Sequence, residues 1–209
     1  MILDKITNNV KMSNMSEAEN SNRRSAILDA AYRTFAAYGF KRTTMADIAA
    51  AAGISRPALY LEFKSKTDIY RAEFVHLLER ANQATRDALV GEGDFLSRLT
   101  RAALAGTIDA LRNIIDTPHG AELFDVKQEI AEDLGRLWFD RMEDEIARAR
   151  VEAEAKGEIK LAATEMDPTA FARLLVSAIE GIKLRMVDCD GAEADIRRLV
   201  FLMTRPLIN

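Results

Sequence analysis

Residues 43–66, TTMADIAAAAGISRPALYLEFKSK, decide the fold of the N-terminal part of the chain. Thr44 can cap a first short helix, because a carboxylate follows it at the spacing of a capping box. Ser55 can cap a second, and Pro57 fits the first turn of that helix, where a missing N–H costs nothing. Gly53 lies between the two helices and can adopt the positive φ of a sharp bend. The stretch therefore predicts a helix-turn-helix.

The side chains of this stretch divide into an inner and an outer set. The inner set is apolar and can form a small core shared by the two helices: Ile48, Ala49, Ile54 and Leu59. The outer set is expected to point away from the second helix: Arg56, Ala58, Tyr60 and Leu61. A second helix that presents its side chains in this way can enter the major groove of DNA.

The charge distribution supports a polyanionic partner although the chain as a whole has a net charge of −4. Residues 22–66 contain eight basic and three acidic side chains, whereas residues 67–209 contain 19 basic and 27 acidic ones. A basic module on an acidic body is typical of a chain that meets nucleic acid at one end. Residues 1–21 are polar and without a hydrophobic period, so we expect them to form a flexible arm.

Hydrophobic periodicity and helix-start signals predict an all-α chain of about nine helices. Four prolines and ten glycines in 209 residues leave little loop chemistry. No stretch has the alternating pattern of a strand. The predicted helices span about 22–38, 44–52, a short helix after 55, 65–90, 94–116, 119–126, 127–156, 168–187 and 192–204, with a turn at 188–191.

Several classes of protein are disfavoured by composition. One cysteine and two histidines leave no disulfide framework and no recognisable metal spacing. We find no Ser/His/Asp arrangement and no Gly-rich phosphate loop, so we expect neither an enzyme nor a cofactor. The longest run without a charged residue, Ile48 to Ser55, is far short of the ~20 residues that span a membrane. We expect a cytoplasmic protein without a membrane partner.

The segment from Ile27 to about Phe74 resembles the DNA-binding domain of the tetracycline-repressor (TetR) family of bacterial transcription regulators. It covers about a quarter of the chain, and the remainder agrees only in length and helix count. The resemblance implies a three-helix DNA-binding domain at 22–66 and a helical ligand-binding and dimerisation domain at 67–209. The matching residues are Phe35, Tyr38-Gly39-Phe40, Thr44, Ile48-Ala49, Ala52-Gly53-Ile54-Ser55, Leu59-Tyr60, Phe63 and Ser65-Lys66.

The resemblance also implies which residues contact DNA. Phosphate contacts would fall to Thr44, Ser55, Tyr60 and Lys66; the first two also lie at helix N-termini, which attract anions. Arg56 would either read guanine or contact a phosphate, and Tyr60 can be partly core. The complete expected set is Arg23, Arg24, Thr44, Ser55, Arg56, Pro57, Ala58, Tyr60, Leu61 and Lys66.

Two residues near the end of the second helix need separate interpretation. Glu62 stands where the family commonly has His or Tyr, and a carboxylate is repelled by phosphate. It would have to accept from a cytosine amino group or pair with a basic residue such as Lys66. Lys64 is more simply explained as a solvated charge.

The acidic body carries two helices that are apolar on more than one side, at 167–187 and 192–204. Such helices either cover their own core or pair with a second subunit as a four-helix bundle. Pairing agrees with the resemblance, which implies a homodimer on a palindromic operator. The candidate interface residues are Phe171, Leu174, Leu175, Ala178, Gly181, Ile182, Ile196, Leu199, Val200 and Met203.

An effector pocket is also implied by the resemblance, and aromatic and sulfur side chains at helical spacing are the candidates to line it. The same cluster can be ordinary core. The candidate ligand-binding residues are Arg112, His119, Phe124, Trp138, Phe139, Met142 and Glu180.

The sequence thus predicts a DNA-binding transcriptional regulator, a repressor released from its operator by a small molecule. A DNA-binding protein of the same fold without an inducer, controlled by a protein partner or acting in chromosome organisation, remains the alternative. A helical enzyme is a weaker third reading, because the chain has no matching arrangement of catalytic side chains.

Overall fold

The computed structural model describes residues 22–160, 166–186 and 188–207, and every regular element within them is helical. The all-α prediction is therefore confirmed for this part of the chain. The predicted N-terminal arm, residues 1–21, lies outside the described residues.

Ten α-helices follow one another along the described residues. A π-helical turn, Ala105–Asp109, joins α5 to α6 without a break, so these two form one continuous rod and the helical rods number nine in the described part. A 3₁₀ turn, Arg205–Leu207, follows α10. The helices are α1 22–38, α2 Met45–Ala51, α3 Arg56–Glu62, α4 Lys66–Val90, α5 Phe95–Leu104, α6 Ala110–Ile115, α7 Gly120–Ile130, α8 Glu132–Ala155, α9 Pro168–Leu184 and α10 Cys189–Thr204.

Helix caps expected from the sequence are present in the structure. Thr44 and Asp47 form a complete capping box at the start of α2, in which each side chain accepts from the backbone N–H of the other. Ser55, Asp94 and Asp167 cap α3, α5 and α9 in the same way, each accepting from the backbone N–H three residues later. Short polar side chains therefore set these helix starts.

Two helix boundaries differ from the sequence prediction. The helix expected from 192 begins at Cys189, because the Asp188 side chain accepts from the backbone N–H of Gly191 and caps it three residues earlier. The predicted turn at 188–191 is thus the first turn of α10. The predicted short helix at 119–126 continues to Ile130, and the break before α8 falls at Ala131.

The chain divides into two compact units. The first contains residues up to Glu73 together with 117–126, and the second contains 74–116 and the residues from 127 onward. The division at Glu73 falls inside α4, several residues after the boundary at 66 that charge suggested. In the first unit the rings of Phe35, Phe40 and Tyr70 pack together, with centroids 5.4 to 5.9 Å apart.

The core of the second unit is built by α8 packing on α9, and by α10 packing on both α5 and α9. Its fully buried side chains include Leu99, Met142, Ile146 and Leu175. No helix in the described ranges is long and apolar enough to cross a membrane.

Candidate functional site

Helices α2 and α3 form the predicted helix-turn-helix. Ile48 and Leu59 are completely buried between them, and the N–H of Ile54 donates to the carbonyl of Ala49 across the turn at 3.0 Å. Gly53 has φ +67°, a conformation that L side chains avoid. The apolar side chains therefore fix the angle between the helices and leave the other face of α3 outward.

The outward face of α3 carries the residues predicted to meet DNA. Leu61 is 86% exposed and Tyr60 is 48% exposed, so the tyrosine lies partly against the protein and partly in solvent. Arg56 and Pro57 are exposed and Ala58 is half-buried. The structure thus gathers these five residues on or beside one helix, as a groove-reading helix requires.

The capping hydroxyls at the two helix starts are exposed but already bonded. Thr44 Oγ1 donates to Asp47 Oδ2 at 2.7 Å, and Ser55 Oγ accepts from the N–H of Ala58 at 3.3 Å. The hydrogen bonds from Thr44 lower the pKa of Asp47, because they favour its ionised form. A phosphate contact by the Thr44 hydroxyl would therefore compete with the Asp47 carboxylate.

Lys66 is occupied by its own protein. Its Nζ donates to the carbonyl oxygens of Phe40 at 2.7 Å, Thr43 at 3.0 Å and Lys41 at 3.1 Å. It also lies 4.6 Å from the centroid of the Phe40 ring. An ammonium group has three donors, so these carbonyls use all of them. Lys66 fastens the turn that precedes α2, and the phosphate contact expected from the sequence stays a prediction.

Glu62 pairs with Arg23 rather than with Lys66, which corrects the basic partner suggested above. The Arg23 Nε lies 3.8 Å from Glu62 Oε1, and Arg24 Nη1 donates to the Glu62 carbonyl oxygen at 3.5 Å. The Arg24 guanidinium also stacks 4.3 Å from the Phe63 ring centroid. Both arginines lie at the C-terminal end of α3, where positive charge is favoured by the helix dipole.

A sequence-distant segment completes the first unit. Glu122 Oε1 accepts from the backbone N–H of Lys41 at 2.8 Å, and the Tyr70 hydroxyl donates to the Leu123 carbonyl at 2.6 Å. His119 Nε2 lies 2.9 Å from Arg42 Nη2. These contacts could not be predicted from local sequence patterns, because their partners are 53 to 81 residues apart in the chain.

The candidate pocket residues are divided between the two units. His119 and Phe124 belong to the first unit, and the other candidates belong to the second. Arg112 donates to Asp190 at 2.9 Å and to Glu193 at 3.0 Å, an ion-pair cluster outside the cavity described next. Arg112 and His119 thus have protein partners, and a ligand contact by these residues or by Phe124 stays a prediction.

A small cavity of about 20 Å³ lies inside the second unit. Of the candidate ligand-binding residues, Trp138 and Phe139 line it, whereas Met142 is buried in the core and Glu180 is not part of the wall. Sequence reasoning missed Lys183, which reaches the cavity from α9. The cavity-lining residues are Phe74, Leu77, Leu78, Ala81, Gly106, Thr107, Ala110, Leu111, Gly135, Trp138, Phe139 and Lys183.

The predicted dimer face is half core and half surface. The buried members, Phe171, Leu175, Ile196 and Val200, are at most 2% exposed and pack in the core of the second unit, so they are corrected as interface residues. The remaining members are exposed or half-buried: Leu174, Ala178, Gly181, Ile182, Leu199 and Met203. These last six alternate along α9 and α10 with the core positions, as expected of helices that are apolar on two sides.

The apolar surface to which these six residues belong also includes Leu202 on α10. Leu174 is 51% exposed and Leu202 is 65% exposed, and neither side chain is covered in the protomer. Between the two helices an open groove of about 470 Å³ is lined by residues that include Ala178, Gly181 and Ile182. Large exposed apolar side chains along two adjacent helices mark an interaction surface.

Comparison with known proteins finds similarity to bacterial regulators. Residues 27–72 match the family described as bacterial regulatory proteins, tetR family. The HTH-type transcriptional repressor ComR of Escherichia coli (strain K12) is 26% identical over 170 residues, which is 77% of this chain and 78% of ComR.

Solved structures share the fold over most of the chain. SmeT, the repressor of the Stenotrophomonas maltophilia multidrug efflux pump SmeDEF, has a TM-score of 0.65 at 23% identity, covering 89% of this chain and 90% of SmeT. SmeT has also been solved as a complex with triclosan, with a TM-score of 0.65 at 21% identity, covering 90% of this chain and 92% of that one. A Rhodococcus sp. protein assigned to the TetR family is 26% identical, with a TM-score of 0.60, covering 87% of this chain and 98% of that one.

Proposed function

We propose that this chain is a bacterial transcriptional regulator of the TetR family, that it binds a palindromic operator as a homodimer, and that it leaves the operator when a small molecule binds the second unit. The observation that carries the DNA-binding part is the outward face of α3. It presents exposed side chains on a helix held at a fixed angle by Ile48 and Leu59.

Arg56 is the residue we assign to sequence reading. It is exposed in the first turn of α3, where recognition helices contact base edges. Its guanidinium can donate to O6 and N7 of guanine, and Ala58 and Leu61 can contact thymine methyl groups. Ser55, Pro57 and Tyr60 flank these residues and would contact the backbone. Such contacts fix the position of the protein without reading sequence.

The remaining predicted DNA residues would act on this surface less directly. Lys66 would hold the turn from which Thr44 begins α2, so its removal would displace a helix start that faces the phosphates. Arg23 and Arg24 would contribute positive charge at the other end of α3. Their field would add affinity that is independent of sequence and falls with salt.

Dimerisation would use the uncovered faces of α9 and α10. Leu174, Ala178 and Ile182 follow one another along α9, and Leu199 and Leu202 follow along α10. Two such helices from each protomer would make a four-helix interface. A dimer would present two α3 helices to successive major grooves, ~34–36 Å apart.

Release by a small molecule is supported by the fold relative SmeT, which has been solved with triclosan. In this chain α4 contributes to both units, because residues to Glu73 belong to the first and Phe74 onward to the second. A ligand among α4, α6 and α8 that favours one conformation of α4 would shift the population of DNA-binding dimers.

The alternative without an inducer also has an observation in its favour. The cavity of about 20 Å³ has room for about one water molecule. A regulator that never opens this cavity would be controlled by another protein. A purified dimer that holds its operator unchanged through a screen of small molecules would favour this alternative.

The operator test uses genomic fragments selected by the protein itself. Arg56→Ala should weaken binding to a selected fragment by ~10-fold or more and binding to a scrambled duplex by much less, since a bidentate contact to guanine discriminates by about 1–3 kcal/mol. Lys64→Ala is the matched control, an exposed charge beside α3 that should affect both duplexes equally. Equal losses for Arg56→Ala would reduce it to a phosphate contact.

The dimer is tested by placing charge on the uncovered face. Leu174→Arg should convert the dimer to a monomer in sedimentation velocity, because burying an unpaired guanidinium is strongly unfavourable. Val151→Arg is the control, since Val151 is also about half exposed but lies on α8. A dimer that survives Leu174→Arg would exclude this face.

A further inference from the structure

The cavity in the second unit is apolar except for a few polar groups. Trp138 lies 4% exposed in its wall, and the indole Nε1 is buried without a hydrogen-bond partner among the described residues. An indole nitrogen is a donor only, so it requires an acceptor. A buried donor left unpaired is unfavourable, so this position is suited to an acceptor from outside the protein.

Lys183 brings a positive charge to the same wall. It is also 4% exposed, and its Nζ lies 5.2 Å from the ring centroids of both Trp138 and Phe139. Its one hydrogen-bond partner in the described residues is Glu180, with Nζ to Oε2 at 3.0 Å. A lysine ammonium has three donors, so two remain for a ligand.

Glu180 does not occupy the cavity side of Lys183. Its carboxylate pairs with Lys183 from outside the wall and its side chain is 25% exposed, so water reaches it. A second carboxylate on the cavity side would therefore meet a buried cation with unused donors and an indole N–H. Charged hydrogen bonds of this kind are among the strongest that proteins make.

A second, open space adjoins the cavity. A groove of about 350 Å³ between α4 and the α5–α6 rod is lined in part by Leu77, Ala81 and Ala110, and these three residues also line the cavity. Rotation of the Leu77 side chain would join the two spaces. The joined volume falls in the ~300–1,000 Å³ range of small-molecule sites.

The π-helical turn adds a local reason for plasticity. Gly106 and Thr107, within that turn, line the cavity. A Cβ at Gly106 would clash with Thr85 Oγ1 and lie 3.6 Å from Trp138, so only glycine fits between α4 and the indole. π-Helical turns are rare and occur often at functional sites.

We propose that this cavity binds a small amphipathic carboxylate, whose head accepts from Trp138 Nε1 and Lys183 Nζ and whose apolar body extends into the groove beside α4. The proposal rests on the ligand-responsive function above and specifies the chemistry of the effector. A neutral or cationic amphiphile of the same length would leave the Lys183 charge without its new partner.

The test compares three optically silent molecules of equal chain length: octanoate, octan-1-ol and octylammonium. Trp138 is the only tryptophan in the sequence, so its fluorescence reports binding at the site. We expect octanoate to change the emission saturably and to bind at least ~10-fold tighter than the other two, a difference of about 1.4 kcal/mol. Tighter binding of octan-1-ol or octylammonium would overturn the proposal.

Two variants move the affinity in opposite directions. Lys183→Met keeps the length of the side chain and should weaken octanoate ~10-fold while leaving octan-1-ol within about twofold. Glu180→Gln removes the competing carboxylate and should tighten octanoate binding. Lys156→Met, an exposed lysine on α8's C-terminal side, is the control and should change neither. Because the proposal predicts tighter octanoate binding for Glu180→Gln, it stays testable if Lys183→Met folds poorly.

The same samples separate the two proposals. If octanoate binds with these variant effects but does not release a selected operator fragment, the carboxylate site stands and ligand-controlled release fails. If operator binding responds to another molecule while octanoate leaves Trp138 emission unchanged, release stands and the carboxylate site fails.

Discussion

Each unit contains a cation that donates to more than one backbone carbonyl, Lys66 in the first and Arg150 in the second, and the two differ in burial. Lys66 in the first unit is half-buried and holds the turn at 40–43. Arg150 in the second unit is completely buried; its Nη2 donates to the Met166 carbonyl at 2.9 Å and its Nη1 to the Asp167 carbonyl at 3.1 Å.

Burial changes what such a cation contributes. The Arg150 guanidinium lies 4.6 Å from the Phe171 ring centroid, and burial lowers its pKa from the ordinary value because water no longer solvates the charge. The two cations therefore differ in their own solvation: the Arg150 side chain is shielded from water, whereas the Lys66 side chain is partly accessible. Their carbonyl acceptors are partly buried in both units.

The largest expected effect is in the second unit. Arg150→Met should lower the free energy of unfolding by about 3 kcal/mol, because two partly buried carbonyls lose a charged donor and the Phe171 ring loses the guanidinium that lies over it. Urea unfolding of the full chain measures it. Arg148→Met is the control, since the exposed Arg148 pairs with Glu145 on its own helix and should cost under about 1 kcal/mol. Equal losses for both would remove the distinction by burial.

The next largest effect concerns Gly39, which lies close to the Glu122 side chain within the first unit. Gly39 has φ +82°, and a Cβ there would clash with the Glu122 carboxylate, whereas a Cβ at Gly53 would meet nothing within 4 Å. Gly39→Ala should cost about 2 kcal/mol and Gly53→Ala about 1, since both pay for the left-handed conformation but only the first adds a clash. Thermal unfolding compares them.

The clash has its own control. In a protein that already carries Glu122→Ala, the additional loss of stability caused by Gly39→Ala should be close to the loss caused by Gly53→Ala. If Gly39→Ala and Gly53→Ala differ by the same amount without the carboxylate, the segment at 117–126 does not press on the turn.

Lys66→Met should have a smaller effect on stability, about 1 kcal/mol, because the Lys66 carbonyl partners remain partly solvated. We expect the slope of operator affinity against salt to stay within experimental error of the parent protein. A slope reduced by about one unit would show instead that Lys66 contacts a phosphate, as the family resemblance implied.

The smallest expected change in stability concerns two capping carboxylates, Asp47 in the first unit and Asp94 in the second. Hydrogen bonds from Thr44 lower the pKa of Asp47, and those from Ser97 lower the pKa of Asp94, from an ordinary value of 3.8. A depressed pKa means that the carboxylate stabilises the fold above the ordinary value and that this is lost as pH falls through the lowered one.

Asp47→Asn and Asp94→Asn should therefore destabilise the chain at pH 7, and each difference from the parent should shrink as the pH falls below about 4. Melting temperatures at pH 7, 5, 4 and 3 measure this. Arg98 and Arg101 also lower the pKa of Asp94, in the same direction as its hydrogen bonds with Ser97. A difference that grows on acidification would contradict the sign of the shift.

Much of the first unit could be predicted because its start and stop residues act locally. Thr44, Ser55 and Gly53 act through hydrogen bonds or dihedral angles within a few residues, so spacing alone identifies them. The partner of Glu62 could not be predicted, because the Arg23 that meets it lies 39 positions earlier.

The second unit was less predictable for the same physical reason. Apolar periodicity located α9 and α10, but both have two apolar sides, and only the packing distinguishes buried Leu175 from exposed Leu174. Lys183 looked like one charge among many on a helix. Its distinctive property, burial beside Trp138, comes from neighbours on α8 that no spacing rule connects to α9.

The first unit is discontinuous in sequence, and this limits how it can be transplanted. A fragment cut at Glu73 would lack the carboxylate that accepts from Lys41 and the carbonyl that accepts from Tyr70. A chimaera that joins the first unit to the ligand-binding part of another protein should therefore include residues 117–126. A crossover point placed at the end of α3 would leave the transplanted unit without the contacts made by residues 117–126.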